Sequence, residues 1–253
     1  MTQYPDLPAI VAHRGNAAEF PENTLPALES AVELGVKHVE FDVQLTADGV
    51  PVLFHDADLN RVGDRPESVH DLTWEQLGKA SVGEARRFGS RFAFTRAPSL
   101  AEAVTAIAGW SGVTAFVEVK RSSLRRLGRE IVLRRVAEVV KPALQCCVFI
   151  SFDLPSLKIL RAMTGARIGG VLPQYDEAAR AEASALAPEF LFTNLERLPQ
   201  GPELLWPGPW EWAVYEVRDL PTARACQARG ARFVETMTVR ALLTAYDESR
   251  RKW

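Results

Sequence analysis

The sequence predicts an α/β protein folded as a (β/α)8 barrel, and three observations carry that prediction. Short β-type runs alternate with amphipathic helical patterns along almost the whole chain. The runs are rich in Val, Ile and Phe and read as buried on both faces, which suits a parallel sheet covered by helices. Nine such runs occur, but the second and third lie too close together for a crossover helix, so eight remain for a barrel.

In chain order the strands are expected at AIVAH, HVEFDVQL, VPVLFH, AFVEV, CVFIS, IGGVL, FLFTN, WAVYEV and RFVET. Between the first two lies TLPALESAVELG, in which Leu25, Leu28 and Val32 share a helical face and Gly35 ends the helix. The gap between the second and third runs is TADGV, and Asp48-Gly49 is a hairpin signal. VPVLFHD is therefore expected to fold back antiparallel on HVEFDVQL as an extra hairpin arm. Residues 57–98 are polar, turn-rich and too long for one connection, and read as a capping insertion over the active face. The run KRSSLRRLGREIVLRR places Leu124, Leu127 and Ile131 at helical spacing among arginines. The plain reading is one barrel helix with a solvated basic face; contact with an acidic membrane surface is the alternative. Each barrel strand is expected to be followed by a helix, and with no linker residues 1–253 read as a single domain.

Bulk properties narrow the function. Hydrophobic residues make up 47% and charged residues 25% of the 253, a soluble globular profile. A formal net charge of -2 gives no global case for nucleic acid as a partner. The N-terminus lacks a basic segment followed by a long apolar run, and no stretch reaches the length of a membrane span, so neither secretion nor stable membrane insertion is expected. Cys146 and Cys147 are adjacent and Cys226 is the only other cysteine, which argues against a disulfide framework. A reduced, cytoplasmic protein is the expectation.

In a barrel of this type, chemistry sits where strands end at the C-terminal rim. His13 and Arg14 end the first strand. Glu40 and Asp42 stand two apart on the second, so both project from one face. His55 and Asp56 end the returning hairpin arm, and Glu118 and Lys120 end FVEVK. Three carboxylates drawn together repel, and burying them unpaired is costly. A hard divalent cation relieves both problems, and oxygen-only ligands favour Mg²⁺ or Ca²⁺ over zinc. The competing reading is a structural network of Glu40 and Asp42 with Arg14 and Lys120. His13 and His55 flank the carboxylates and suit proton transfer in both directions. Arg14 as a fork and Lys120 as a point charge suit phosphate oxygens. His38, at the opposite rim, and His70, in the insertion, carry no such company.

These residues form an ordered set: HRG (13–15), PENT (21–24), EFDV (40–43), DG (48–49) and HD (55–56). DLTWEQL (71–77), PSLAEAV (98–104), VEVK (117–120) and ISF (150–152) follow. The set resembles the glycerophosphodiester phosphodiesterases, related in fold and chemistry to the phosphatidylinositol-specific phospholipases C, over about the first three-fifths of the chain. The resemblance implies a TIM barrel with His13 and His55 as an acid–base pair and a divalent cation, Mg²⁺ or Ca²⁺, on Glu40, Asp42 and Glu118. It places Arg14 and Lys120 on the phosphate, with Glu22 and Asn23 supporting those groups or merely forming a turn. The reaction implied is hydrolysis of small glycerophosphodiesters, such as glycerophosphocholine and glycerophosphoethanolamine, to sn-glycerol 3-phosphate and an alcohol.

The last third departs from the pattern. AVYEVRD stands where a Trp-Thr-Val-Asn-like strand is common, and FVETM where Ile-Thr-Asp is common. Tyr215 and Glu216 are placed to reshape the pocket for the leaving alcohol. Two other functions stay open. A lysophospholipase D would use a similar site, with an apolar landing surface that Trp74 and the phenylalanines of the insertion can supply. A catalytically inactive phosphodiester-binding barrel is the reading of a different class, although decay should remove a histidine or carboxylate first, and all are present.

Overall fold

A computed structural model describes Tyr4 and residues 6–251. The strands are β1 (Ala9–Ala12), β2 (His38–Leu45), β3 (Pro51–Leu53), β4 (Thr114–Val119), β5 (Cys147–Ser151), β6 (Arg167–Leu172), β7 (Phe190–Asn194), β8 (Glu211–Tyr215) and β9 (Ala231–Thr236). Eight of them pair in parallel, and β1 joins both β9 and β2, closing a (β/α)8 TIM barrel. The ninth, β3, is the hairpin arm: it lies antiparallel on β2, with Val43 opposite Leu53 and Leu45 opposite Pro51. All nine strands fall where the apolar runs predict them, because buried parallel strands carry a local signature that needs no tertiary information.

Helix starts are equally local. Thr24, Ser99, Asp153, Asp176 and Asp219 each accept a hydrogen bond from the backbone N–H three residues on, at helices Leu25–Glu33, Leu100–Gly109, Leu154–Thr164, Glu177–Leu186 and Leu220–Ala228. Each such cap stabilises its helix by about 1 kcal/mol.

Two expectations need correction. The basic run does not form one helix. Gly128, at φ 89°, separates Arg121–Leu127 from Arg129–Val140. The second helix buries Val132, Leu133, Val136 and Val140, and Ile131 is exposed on its outer side. Nor is β7 followed by an α-helix. Between β7 and β8 lie a single 3-10 turn, Leu195–Arg197, and a Pro- and Gly-rich loop. Prolines at 199, 202, 207 and 209 prevent helical hydrogen bonding there. Aromatic packing covers the barrel instead: Trp206 stacks on Tyr175 at 3.8 Å between ring centroids, and the Trp212 indole N–H donates to the Trp206 carbonyl.

Strand alternation divides the barrel interior into layers. Val11, Phe116, Phe190, Phe192, Ala213 and Phe233 fill the lower part, with Phe116 in edge contact with the rings of Phe190, Phe192 and Phe233. Gly169 leaves room for this layer, since a Cβ there would lie 2.9 Å from Ile150 and 3.1 Å from Phe190. His38 belongs to the same layer, 4.9 Å from the Phe233 ring, and burial followed by the charges of Arg167 and Arg232 holds its imidazole down at about 4. Two residues further along β1, β2, β4 and β9 the interior turns polar, at His13, Glu40, Glu118 and Glu235, while β5, β6 and β7 stay apolar.

The insertion at 57–98 packs Leu59, Val62, Val69, Leu77 and Val82 into a small core with Val52 and Phe54 of the hairpin arm. It folds back onto the loop after β1: the Glu22 N–H donates to Glu84, and Arg87 donates to the Ala17 carbonyl. His70 is structural here, its ring donating to the Leu45 carbonyl. Among the described residues no helix is long and apolar enough to cross a membrane, and all three cysteines are free.

Candidate active site

The loop after β1 is built by backbone geometry that most residues avoid. Arg14 (φ 57°), Gly15 (φ 81°) and Asn23 (φ 55°) all adopt the left-handed region. For Arg14 and Asn23 such a conformation costs on the order of 1–3 kcal/mol each and persists where surrounding contacts enforce it, whereas glycine adopts it freely. Here the contacts are explicit. The Arg14 amide donates to Glu40 at 3.0 Å, and its guanidinium donates to Glu22 at 2.8 Å while its Nε lies 3.2 Å from Asp42. Asn23 clamps Asp42 from both sides: its amide nitrogen donates to the Asp42 carboxylate, and the Asp42 N–H donates to the Asn23 side-chain oxygen, each at 2.9 Å. Gly15 is required by space as well as by φ, since a Cβ would fall 2.5 Å from the Ala27 carbonyl carbon. Gly15→Ala is expected to cost about 2–4 kcal/mol of stability, measured by urea unfolding. A loss below about 1 kcal/mol would show that the loop is not held as described.

Glu40, Asp42 and Glu118 come together as the strand ends predict. One oxygen from each lies within 4.8 Å of the others, and all three residues are buried. β2 and β4 are in register with Asp42 beside Glu118, which explains the convergence. Lys120 joins them, 3.0 Å from Asp42 and 2.8 Å from Glu118. Burial opposes ionisation of Asp42, but the cations Lys120 and Arg14 prevail and hold its carboxyl well below the usual range. Glu40 goes the other way. Burial, then repulsion from Asp42, Glu235 and Glu118, raises it well above an ordinary glutamate. Its Oε1 has no hydrogen-bond partner among the described residues. Three oxygen ligands, one of them buried and unsatisfied, fit a hard divalent cation.

The two histidines share one arrangement. The His55 Nδ1–H donates to Asp56 at 2.6 Å, and the His13 Nδ1–H donates to Glu216. Each ring is thereby tied through Nδ1 to a carboxylate, and Nε2 is left for chemistry. Burial alone would depress His13. The charges of Glu235 and Glu216, with the hydrogen bond to Glu216, outweigh that and the repulsion of Arg14, so the imidazole lies above its ordinary value.

Asp56 is in turn held by Arg61 at 2.7 Å, and Arg61 also grips both oxygens of Glu22. The hydrogen bond from His55 is the first cause that lowers Asp56, to about 2. A carboxyl depressed in the fold stabilises it above the unfolded value near 3.9, and that contribution is lost as pH falls toward 2. Asp56→Asn is therefore expected to cost about 1–2 kcal/mol at pH 7. The gap to the wild type should close between pH 4 and pH 2 in urea titrations; a gap independent of pH would sink the assignment.

His13, Arg14, Glu40, His55, Glu118 and Lys120 all line one pocket of about 100 Å³, with Ile150, Val171 and Phe192 forming an apolar wall and Phe152 and Tyr215 at the side. Asp42 lies just beneath, held by Arg14 and Lys120. Glu22 and Asn23 sit behind the pocket, steadying Arg14 and Asp42 respectively. Sequence reading overlooked Glu235, Arg61 and Gln44. Glu235 is the last residue but one of RFVET and of β9, at the same rim, so the strand-end rule applied to β9 would have found it. Gln44 holds the carbonyls of His55 and Asp56 with its amide, and no local signal marks it.

Comparison with known proteins points to one family. Residues 13–194 match the glycerophosphoryl diester phosphodiesterase family. The glycerophosphodiester phosphodiesterase of Caldanaerobacter subterraneus subsp. tengcongensis is 31% identical over 217 residues, 83% of this chain and 87% of that one. Glycerophosphodiester phosphodiesterase 1 of Rattus norvegicus is 42% identical over 100 residues, 40% of this chain; the chain spans only 30% of that protein's length. Among solved structures, an Oleispira antarctica phosphodiesterase in complex with the product sn-glycerol-3-phosphate superposes with a TM-score of 0.79 and 25% identity, over 95% of this chain and 97% of that chain. A Silicibacter pomeroyi structure superposes with a TM-score of 0.81 at 20% identity, over 97% and 95%, which speaks to the fold alone. With the matched segment running from the first histidine of the site to the end of β7, the chain belongs to the glycerophosphoryl diester phosphodiesterase family.

Proposed function

We propose that the protein hydrolyses glycerophosphodiesters such as glycerophosphocholine and glycerophosphoethanolamine to sn-glycerol 3-phosphate and an alcohol, the whole chain acting as one domain. The observation that carries this reading is the meeting of two carboxylate-anchored imidazoles with three buried carboxylates and two cations around one pocket. The product bound by the Oleispira antarctica phosphodiesterase supports the same product here.

Glu40, Asp42 and Glu118 would hold a divalent cation, Mg²⁺ or Ca²⁺, which when bound neutralises charge developing on the phosphate oxygens. Arg14 and Lys120 face the non-bridging oxygens. One imidazole accepts the proton of the attacking hydroxyl as the new P–O bond forms, and the other donates a proton to the alcohol oxygen as its P–O bond breaks. The attacking hydroxyl is either the glycerol 2-hydroxyl, through a cyclic phosphate later opened by water, or water itself. The wall of Ile150, Val171 and Phe192 suits the carbon skeleton of the substrate.

The test is release of sn-glycerol 3-phosphate from both diesters after chelation, and again with Mg²⁺ or Ca²⁺ restored. Cation-restored release is expected. One observation favours a second reading, lysophospholipid hydrolysis at the same site: Phe94 is 89% exposed in the insertion, between Arg91 and Arg96. Cleavage of lysophospholipids with no release from either small diester would select it. Silence on every diester, with cation bound and the fold intact, would leave a binding barrel.

A further inference from the structure

Among the described residues, two buried carboxylate oxygens of the pocket have no hydrogen-bond partner, Glu40 Oε1 and Glu235 Oε1. Glu235 is 3% exposed and stands on β9 opposite Val11, one strand from His13 and two from Glu40. Among the described residues no lysine or arginine pairs with it, whereas Asp42 and Glu118 have Lys120, and Glu22 has Arg14 and Arg61. An unpaired buried carboxylate is costly, so this position calls for a cation or a proton.

A ring nitrogen of His13 and one oxygen each from Glu40 and Glu235 lie within 4.8 Å of one another. The Nδ1–H of His13 is committed to Glu216, and Nε2 is on the side of Glu40, 3.8 Å from its Oε2. A histidine whose one nitrogen donates to a carboxylate while the other presents its lone pair to a cluster of oxygens has the form of a metal-ligating histidine. Both Glu216 and Glu235 lie in the two segments, YEV and FVET, where this chain leaves the family pattern. The arrangement is thus a property of this sequence more than of the family.

We propose that His13, Glu40 and Glu235 form a second cation site, adjoining the oxygen-only site at Glu40 and selective for a borderline transition metal such as Zn²⁺. The donor sets dictate the difference. One nitrogen and two carboxylates, with a fourth position open to the pocket, suit tetrahedral zinc, while Glu40, Asp42 and Glu118 offer only oxygen and suit Mg²⁺ or Ca²⁺. Zinc held there occupies the Nε2 lone pair of His13, so His13 no longer carries a proton and a Mg²⁺-loaded enzyme is inhibited. Binding depends only on the residues present; inhibition rests on the reading of His13 as a proton carrier.

The experiment is equilibrium dialysis of the full chain against micromolar Zn²⁺ with millimolar Mg²⁺ present, metal content read by mass spectrometry, for the wild type, Glu235→Gln and Glu235→Ala. Circular dichroism confirms that each variant is folded. One zinc per wild-type chain is expected, with affinity at least about tenfold weaker in both variants and Ca²⁺ binding retained. Zinc should also inhibit glycerol phosphate release from the wild type at a concentration matching its binding, and do so less effectively in Glu235→Gln. Equal zinc binding by wild type and variants would overturn the site, as would no binding by the wild type. Zinc bound through Glu235 without inhibition of an active enzyme would overturn the inhibitory role. Absence of glycerol phosphate release from both small diesters at every Mg²⁺ concentration would remove the small-diester reading, and the dialysis would still decide whether the site exists.

Discussion

His13→Gln is expected to lower the turnover of glycerophosphocholine by about 10²–10⁴-fold, with KM changed far less. The residue is placed for proton transfer: Nδ1 is tied to Glu216, which leaves Nε2 toward the pocket, and the ring lies tilted against Tyr215 at 6.3 Å between centroids. Glutamine keeps the size and a donor for Glu216 but cannot accept and return a proton near neutral pH. The same substitution at His55, anchored on Asp56, should cause a loss of the same order. If either variant retains more than about a tenth of wild-type turnover, that histidine does not carry the reaction's proton. A large rise in KM at unchanged turnover would instead recast it as a substrate-binding group.

Asp42→Asn should damage stability as much as activity. Asp42 is 1% exposed and is the shared anion of Lys120 and Arg14. Removing one partner of a buried pair leaves uncompensated charge, a loss of about 3–5 kcal/mol. Glu118 still accompanies Lys120 and Glu22 still accompanies Arg14, which places the expected loss near about 3 kcal/mol. The new amide also presents a donor toward the Asn23 amide nitrogen, one of the two groups that now clamp the carboxylate. Urea unfolding in chelator and again with Mg²⁺ tests both roles. The wild type should gain stability from the cation by mass action, and the variant should gain little. A variant as stable as wild type in chelator would remove Asp42 as the anion that Lys120 and Arg14 depend on, and one stabilised equally by Mg²⁺ would remove it from the cation site.

What was legible in the sequence was whatever depends on near neighbours. The nine strands follow from runs of apolar residues, and the hairpin arm from Asp48-Gly49. Glu40 with Asp42, and Glu118 with Lys120, were visible because a period of two puts such residues on one face of a strand wherever the strand lies. The basic run misled for a similar reason: helical spacing was present, but it did not show that Gly128 breaks the helix or that Ile131 faces outward.

The tertiary structure decided what lies between segments far apart in the chain. Glu216 reaches His13 across 203 residues, and Glu235 stands near both His13 and Glu40, because closure of the barrel makes β1 the common neighbour of β9 and β2. No local pattern encodes that adjacency; it depends on strand register around a closed sheet. Likewise, the loop between β7 and β8 covers the barrel without a helix because Trp206 finds Tyr175 and Trp212 in the folded state. The sequence by itself determined which groups stand at the active rim, since strand ends and turns are local. Closure and register determined which of them carry a partner and which, like Glu235, are buried without one, since burial and charge pairing exist only once distant strands meet.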